Sequence, residues 1–219
     1  METGKEILQL LKQRFKVREI DLGKDAYLKK GLMHFHVQSY DIEDFGHFCI
    51  FDLNGMLGLM KMETVVLSCT HKDLPLLNLD FIDAAGKQTQ LIEFYETLEN
   101  RNSFDQTEYL KIKDKDKQLS DYNSGEHWYD SLLMGCSYGK TGKKQSEHFK
   151  AIALEYFHQY LKQYERAKTC DHKEKTARNR AFVQGLLDHG GSAVDQVRKM
   201  FGEEMTRKLL LRYMYGVES

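Results

Sequence analysis

One carboxylate in this sequence stands where a carboxylate is expensive. Asp80 lies inside the apolar run Leu76-Leu77-Asn78-Leu79-Asp80-Phe81-Ile82. Burying it there costs free energy unless a donor hydrogen-bonds it or it keeps its proton, and either arrangement suits proton transfer. At strand spacing Asp80 shares a face with Leu76, Asn78 and Ile82, so it should meet a covering layer and not a turn. The alternative is an edge-strand aspartate that reaches solvent. Other groups with chemistry to offer have thinner support. His34 and His36 alternate on one strand face, a spacing able to bind a metal, but no third ligand accompanies them. Gly139-Lys140-Thr141-Gly142 echoes a phosphate loop without the G-x-x-x-x-G-K-[ST] spacing. Cys49, Cys69, Cys136 and Cys170 form no C-x-x-C pair, which argues for free thiols and against a zinc or iron–sulfur site. If the protein moves electrons, a partner must supply them.

The elements that would position Asp80 can be read from apolar periodicity. Ile7, Leu8, Leu10, Leu11 and Phe15 form one face of a first helix over Glu6 to Phe15. Six short runs rich in Val, Ile, Phe and Tyr follow: Val17–Leu22, Met33–Tyr40, His47–Leu53, Leu59–Ser68, Leu76–Ile82 and Thr89–Tyr95. The gaps between them are too short for parallel crossovers, so they predict an antiparallel meander. From Ser146 the period changes to 3.6, with Phe149, Ile152, Ala153, Tyr156, Phe157, Tyr160, Leu161 and Tyr164 in one stripe. Ser192 and Asp195 resemble a capping box for a helix that Gly202 stops, and a last helix runs from Glu203 to Tyr213. Lys111–Lys117 reads as a solvated loop. Helix, antiparallel sheet, then helices is the order expected of a sheet covered on one or both faces.

Composition narrows the class without naming a function. The 219 residues fit one domain spanning 1–219, and 41% apolar with 30% charged residues is ordinary for a soluble globular chain. A formal net charge of −1 makes no electrostatic case for nucleic acid or an acidic membrane. No apolar run approaches the roughly 20 residues needed to span a bilayer. The amphipathic start predicts no signal peptide and a cytoplasmic address, and the chain is expected to be a monomer.

Two stretches carry a resemblance. The first is Asp73-Leu74-Pro75-Leu76 leading through Asp80 to Gly86 and the strand Gln90-Leu91-Ile92-Glu93-Phe94-Tyr95; the second runs from Trp128 through Lys140 into the long helix and on to Arg198-Lys199-Met200-Phe201-Gly202. Over roughly Phe48 to Tyr213 the chain resembles the ferredoxin-dependent bilin reductases and their relative, the red chlorophyll catabolite reductase. The resemblance implies a three-layer α/β/α sandwich with a central antiparallel sheet and a linear tetrapyrrole held between the sheet and the C-terminal helices. It implies single-electron reduction by reduced ferredoxin with no bound metal or flavin, and protons drawn from side chains around the pyrrole nitrogens.

By that resemblance Asp80 takes the place of the family's central aspartate, with Asn78 beside it on the strand. Gapless counting puts Glu63 at the family's catalytic histidine, and Asp52 matches its glutamate if the Asn54-Gly55 hairpin is one residue shorter. Three carboxylates crowded together cannot all ionise cheaply, so one should keep its proton near neutral pH. Lys140, twelve residues after Trp128, matches the arginine that holds a propionate; lysine keeps the charge without the two-pronged grip. Gly190-Gly191 replaces the family's Asn-Asp, and His189 is the nearest substitute donor, or else a helix-end histidine with no chemical task. Arg166 to Arg180, with Lys168, Lys173, Lys175 and Arg178, is a basic stretch that either docks an acidic ferredoxin or is a solvated helix face. The departures keep two other readings open: a tetrapyrrole carrier without turnover, and a pocket adapted to an unrelated acyl or aromatic ligand.

Overall fold

The computed structural model describes residues 2–123 and 125–218. Its strands are β1 (Val17–Ile20), β2 (Tyr27–Lys30), β3 (Met33–Ile42), β4 (Gly46–Gly55), β5 (Met60–Cys69), β6 (Leu76–Ala84), β7 (Lys87–Tyr95), β8 (Ser120–Asp121) and β9 (Tyr138–Lys143). They form one antiparallel sheet in the order β1-β3-β4-β5-β6-β7-β9-β8, with β2 also paired to β3. The short turns between the apolar runs allow only this hairpin-by-hairpin path from β2 to β7. The helices are α1 (Thr3–Lys12), α2 (Thr107–Asp114), α3 (Ser146–Arg166), α4 (His172–His189) and α5 (Ser192–Lys208). This is the expected three-layer sandwich on a central antiparallel sheet.

Strand periodicity divides the side chains between two cores. In β4, Phe48 and Ile50 join the core under α1 and α3, whereas Cys49, Phe51 and Leu53 join the core under α4 and α5. The α3 stripe is buried as its period demands: Phe149, Ile152, Tyr156, Phe157 and Tyr160 face the sheet. Each such side chain contributes roughly 1.5–3 kcal/mol of burial free energy. In the last helical segment Gly202 adopts φ 82 and ψ 172, which breaks α5 where the sequence predicts a stop. The chain then widens into one π turn over Leu209–Met214. Ser39 Oγ donates to the Tyr213 carbonyl at 2.6 Å and His47 Nε2 contacts the same oxygen at 2.8 Å, fixing that turn to the sheet. Among the described residues, no helix is long and apolar enough to cross a membrane.

Two local expectations change, and a third is untested. Lys111–Lys117 is not a simple loop: α2 runs to Asp114, and Asp116 is buried, accepting from Tyr138 Oη at 2.7 Å and bonded to His148 Nε2 at 2.8 Å. The basic stretch after Arg166 belongs largely to α4. There Lys175 turns inward to donate to Thr97 O at 2.7 Å, and burial pushes its amine down to about 8. The expected capping role of Ser192 lies outside the described residues, since its side chain is not among them.

Candidate active site

Asp80 occupies the middle of β6, opposite Thr64 of β5 and Leu91 of β7. Parity turns it, with Leu76, Asn78 and Ile82, toward the α4–α5 layer. Glu93 lies opposite Asn78 on β7, so it is the diagonal neighbour of Asp80 on the same face. The sheet and the C-terminal helices do not close completely over this wall. They leave an open-mouthed cavity of about 200 Å³ between them. Its lining is mostly aliphatic, with Met33, Met60, Met62 and Met200 among the contributors. Asp80, Glu93, Asn78, Thr64, His127 and Gln196 supply polar groups.

The polar groups are held in a fixed order. Thr64 Oγ1 donates to Asp80 Oδ1. Tyr95 Oη donates to Glu93 Oε2 at 2.8 Å, and Asn78 Nδ2 donates to Tyr215 Oη at 2.7 Å. Tyr215 reaches this position because it follows the π turn that Ser39 and His47 anchor. Burial pushes the Asp80 carboxyl up to about 6, against the Thr64 hydrogen bond. Burial first, and then the Asp80 charge, pushes Glu93 up to about 7, against the Tyr95 hydrogen bond. Both carboxyls are therefore raised toward neutral pH, where a carboxylic acid can give up a proton and a carboxylate can accept an N–H. Tyr95, Tyr129 and Tyr215 are held well above the ordinary phenol range by burial and these charges, so they remain donors.

The other residues singled out from sequence lie elsewhere. Asp52 and Glu63 are a register pair on β4 and β5, but both face the α1–α3 side, away from Asp80. The expected three-carboxylate cluster does not form. Gapless counting placed Glu63 one residue from Thr64, and in a strand one residue is a change of face. Glu63 instead accepts from the Gly4 amide at 2.9 Å in the first turn of α1, a favourable place for a carboxylate. Lys140 also points to the α1–α3 side, opposite Gln90, and its amine is used by Leu119 O at 3.2 Å and Asp121 Oδ1 at 2.8 Å. It does not line the cavity, and neither does His189, which packs its exposed ring against Trp128 at the end of α4. His36 stacks on Tyr27, and no cluster of His, Cys, Asp and Glu able to hold a metal occurs among the described residues. Of the residues proposed from sequence, only Asp80 and Asn78 share the cavity wall.

No protein-family model and no curated protein matches the sequence. A search of solved structures does find relatives in shape. One is phytochromobilin synthase from tomato in complex with biliverdin, with TM-score 0.79 and 9% sequence identity over 97% of this chain and 81% of that one. The fold is that of phytochromobilin synthase. Within a phytochromobilin-synthase fold, the residue that sequence reasoning passed over is Glu93. A signal was present: Leu91-Ile92-Glu93-Phe94 is a second carboxylate inside an apolar run, one short turn from Asp80. Pairing β6 with β7 across Ala84–Lys87 fixes Glu93 on the Asp80 face.

Proposed function

We propose that the protein binds a linear tetrapyrrole against the Asp80–Glu93 wall and reduces it with electrons delivered singly by reduced ferredoxin. The observation that carries this reading is one apolar cavity holding two proton-retaining carboxyls, in a fold shared with a protein solved with biliverdin. Reducing one double bond of a bilin consumes two electrons and two protons. The electrons come from two ferredoxins; the protons come from the carboxyls and are replaced from solvent through the mouth. Asp80, facing the middle of the cavity, protonates the one-electron-reduced ligand, and its carboxylate then accepts pyrrole N–H groups. Glu93 holds the second proton and Tyr95 orients it. The apolar remainder of the wall excludes water, which favours holding a flat conjugated molecule and protects a radical. No Lys or Arg lines the cavity among the described residues, so the ligand's carboxylates lie at the mouth.

A carrier without turnover is favoured by one observation. The side chain facing Asp80 is Thr64, whose hydroxyl cannot shuttle a proton at neutral pH as an imidazole can. Titration with biliverdin followed by anaerobic addition of reduced ferredoxin separates the readings. Turnover predicts a perturbed visible spectrum on binding, then loss of the bound absorption on reduction. Binding without any change on reduction assigns the carrier role. No spectral perturbation at all overturns both for this ligand.

A further inference from the structure

Four hairpin and strand ends meet at one end of the sheet: the β2–β3 turn, the β4–β5 turn, the β6–β7 turn and the end of β9. Register brings them side by side, since His34 pairs with Asn54, Met60 with Ala84, and Lys87 with Lys143. The stretches 29–34, 54–61, 83–88 and 141–144 hold six lysines, namely Lys29, Lys30, Lys61, Lys87, Lys143 and Lys144. Their one carboxylate, Asp83, is occupied by the Gly86 amide at 2.9 Å and Gln88 Nε2 at 3.0 Å. All six lysines are exposed, and no ion pair among the described residues engages any of them.

At the centre of this basic rim stand bare apolar side chains. Among the described residues, four of the seven large apolar side chains that are exposed lie on two neighbouring tips: Leu32 at 62%, Met56 at 56%, Leu57 at 90% and Leu59 at 60%. Met56 and Leu57 project from the β4–β5 tip in left-handed backbone, φ 52 and φ 58, where bulky residues are rare. Water gives no reason to hold leucine out in that way. The patch is a set of turn tips, and none of its four apolar side chains lines the cavity. A groove receives a peptide or a helix, whereas apolar tips ringed by lysines suit insertion between anionic headgroups. The whole-chain charge of −1 conceals this because the acids lie elsewhere.

We infer that this end of the sheet docks the protein on an anionic lipid bilayer, with Met56, Leu57, Leu59 and Leu32 entering the headgroup region and the six lysines pairing with lipid charge. The next residues inward, Met33 and Met60, line the cavity. Docking therefore sets an apolar route from the bilayer beside the cavity mouth, which suits a poorly water-soluble ligand.

The test is co-sedimentation of the full chain with phosphatidylcholine vesicles with and without phosphatidylserine, at low and high salt. The expected result is pelleting only with phosphatidylserine, released by salt, and weakened more than tenfold in Met56→Ser/Leu57→Ser/Leu59→Ser. Lys29→Gln/Lys30→Gln/Lys61→Gln should weaken it as well, while Leu110→Ser, exposed on α2, leaves it unchanged. Circular dichroism and biliverdin titration of each variant show that fold and cavity persist, so a lost interaction is not a lost fold. Absence of pelleting with phosphatidylserine, or undiminished pelleting of the triple serine variant, overturns the inference. So does association of the wild type with an acidic [2Fe–2S] carrier that the lysine variant loses, when vesicles bind neither protein.

Discussion

Each face of the sheet carries a pair of carboxylates, and the pairs differ in what surrounds them. Asp52 and Glu63 face α1, where Glu63 accepts the Gly4 amide and the first turn of the helix supplies partial positive charge. Asp80 and Glu93 face the cavity, where their partners are the hydroxyls of Thr64 and Tyr95 and the Asp80 charge raises the cost of ionising Glu93. Burial raises both pairs, but Glu63 of the first is bonded to a helix, whereas the second lines the cavity. A buried acid becomes a reagent when its surroundings satisfy it only partly and leave room for a substrate.

This contrast can be broken in several ways. The largest expected effect is on turnover: Asp80→Asn should lower bilin reduction by about 10²–10⁴-fold, the usual worth of a positioned general acid, with binding changed far less. Equal turnover in the variant removes Asp80 from the chemistry. The next effect is on stability against pH. Asp80 and Glu93 keep protons in the folded state that an unfolded chain releases near pH 4, so stability falls as pH rises from about 4 to about 7 and then levels off. In urea melts Asp80→Asn should flatten that slope and, above pH 7, stabilise by on the order of 2 kcal/mol; an unaltered slope would show that Asp80 is not the titrating group. Glu63→Ala leaves the Gly4 amide without its acceptor and should cost about 1–3 kcal/mol, with biliverdin affinity preserved. Loss of affinity there would tie the two faces together. Smallest of all, Lys140→Ala should leave affinity within about twofold, well below the tenfold worth 1.4 kcal/mol, because its amine serves Leu119 O and Asp121.

The meander and the long helix α3 were legible because apolar alternation and a 3.6 period survive in the sequence whatever the tertiary context. The inward side of helix α4 was not, since it includes Lys175 and Asn179, polar residues whose Nζ and Nδ2 atoms donate to Thr97, Ser68 and Cys69 O in a way no local pattern announces. Asp80 and Asn78 were legible as cavity residues because their own strand's parity fixes their face. Asp52, Glu63 and Lys140 were placed by counting between strands, and that count is ambiguous by one residue at each turn. Glu93 needed only the pairing of β6 with β7, and the short turn at Gly86 contained that information.

The π turn that anchors Tyr213 has a consequence in time. Its bonds to Ser39 and His47 close loops of 174 and 166 residues, among the most expensive closures available to this chain. The hairpins from β2 to β7 close loops of a few residues and can form first. The cavity's Tyr215 wall is then among the last parts to assemble and the first to detach, so a bound bilin should slow unfolding and leave the refolding rate nearly untouched.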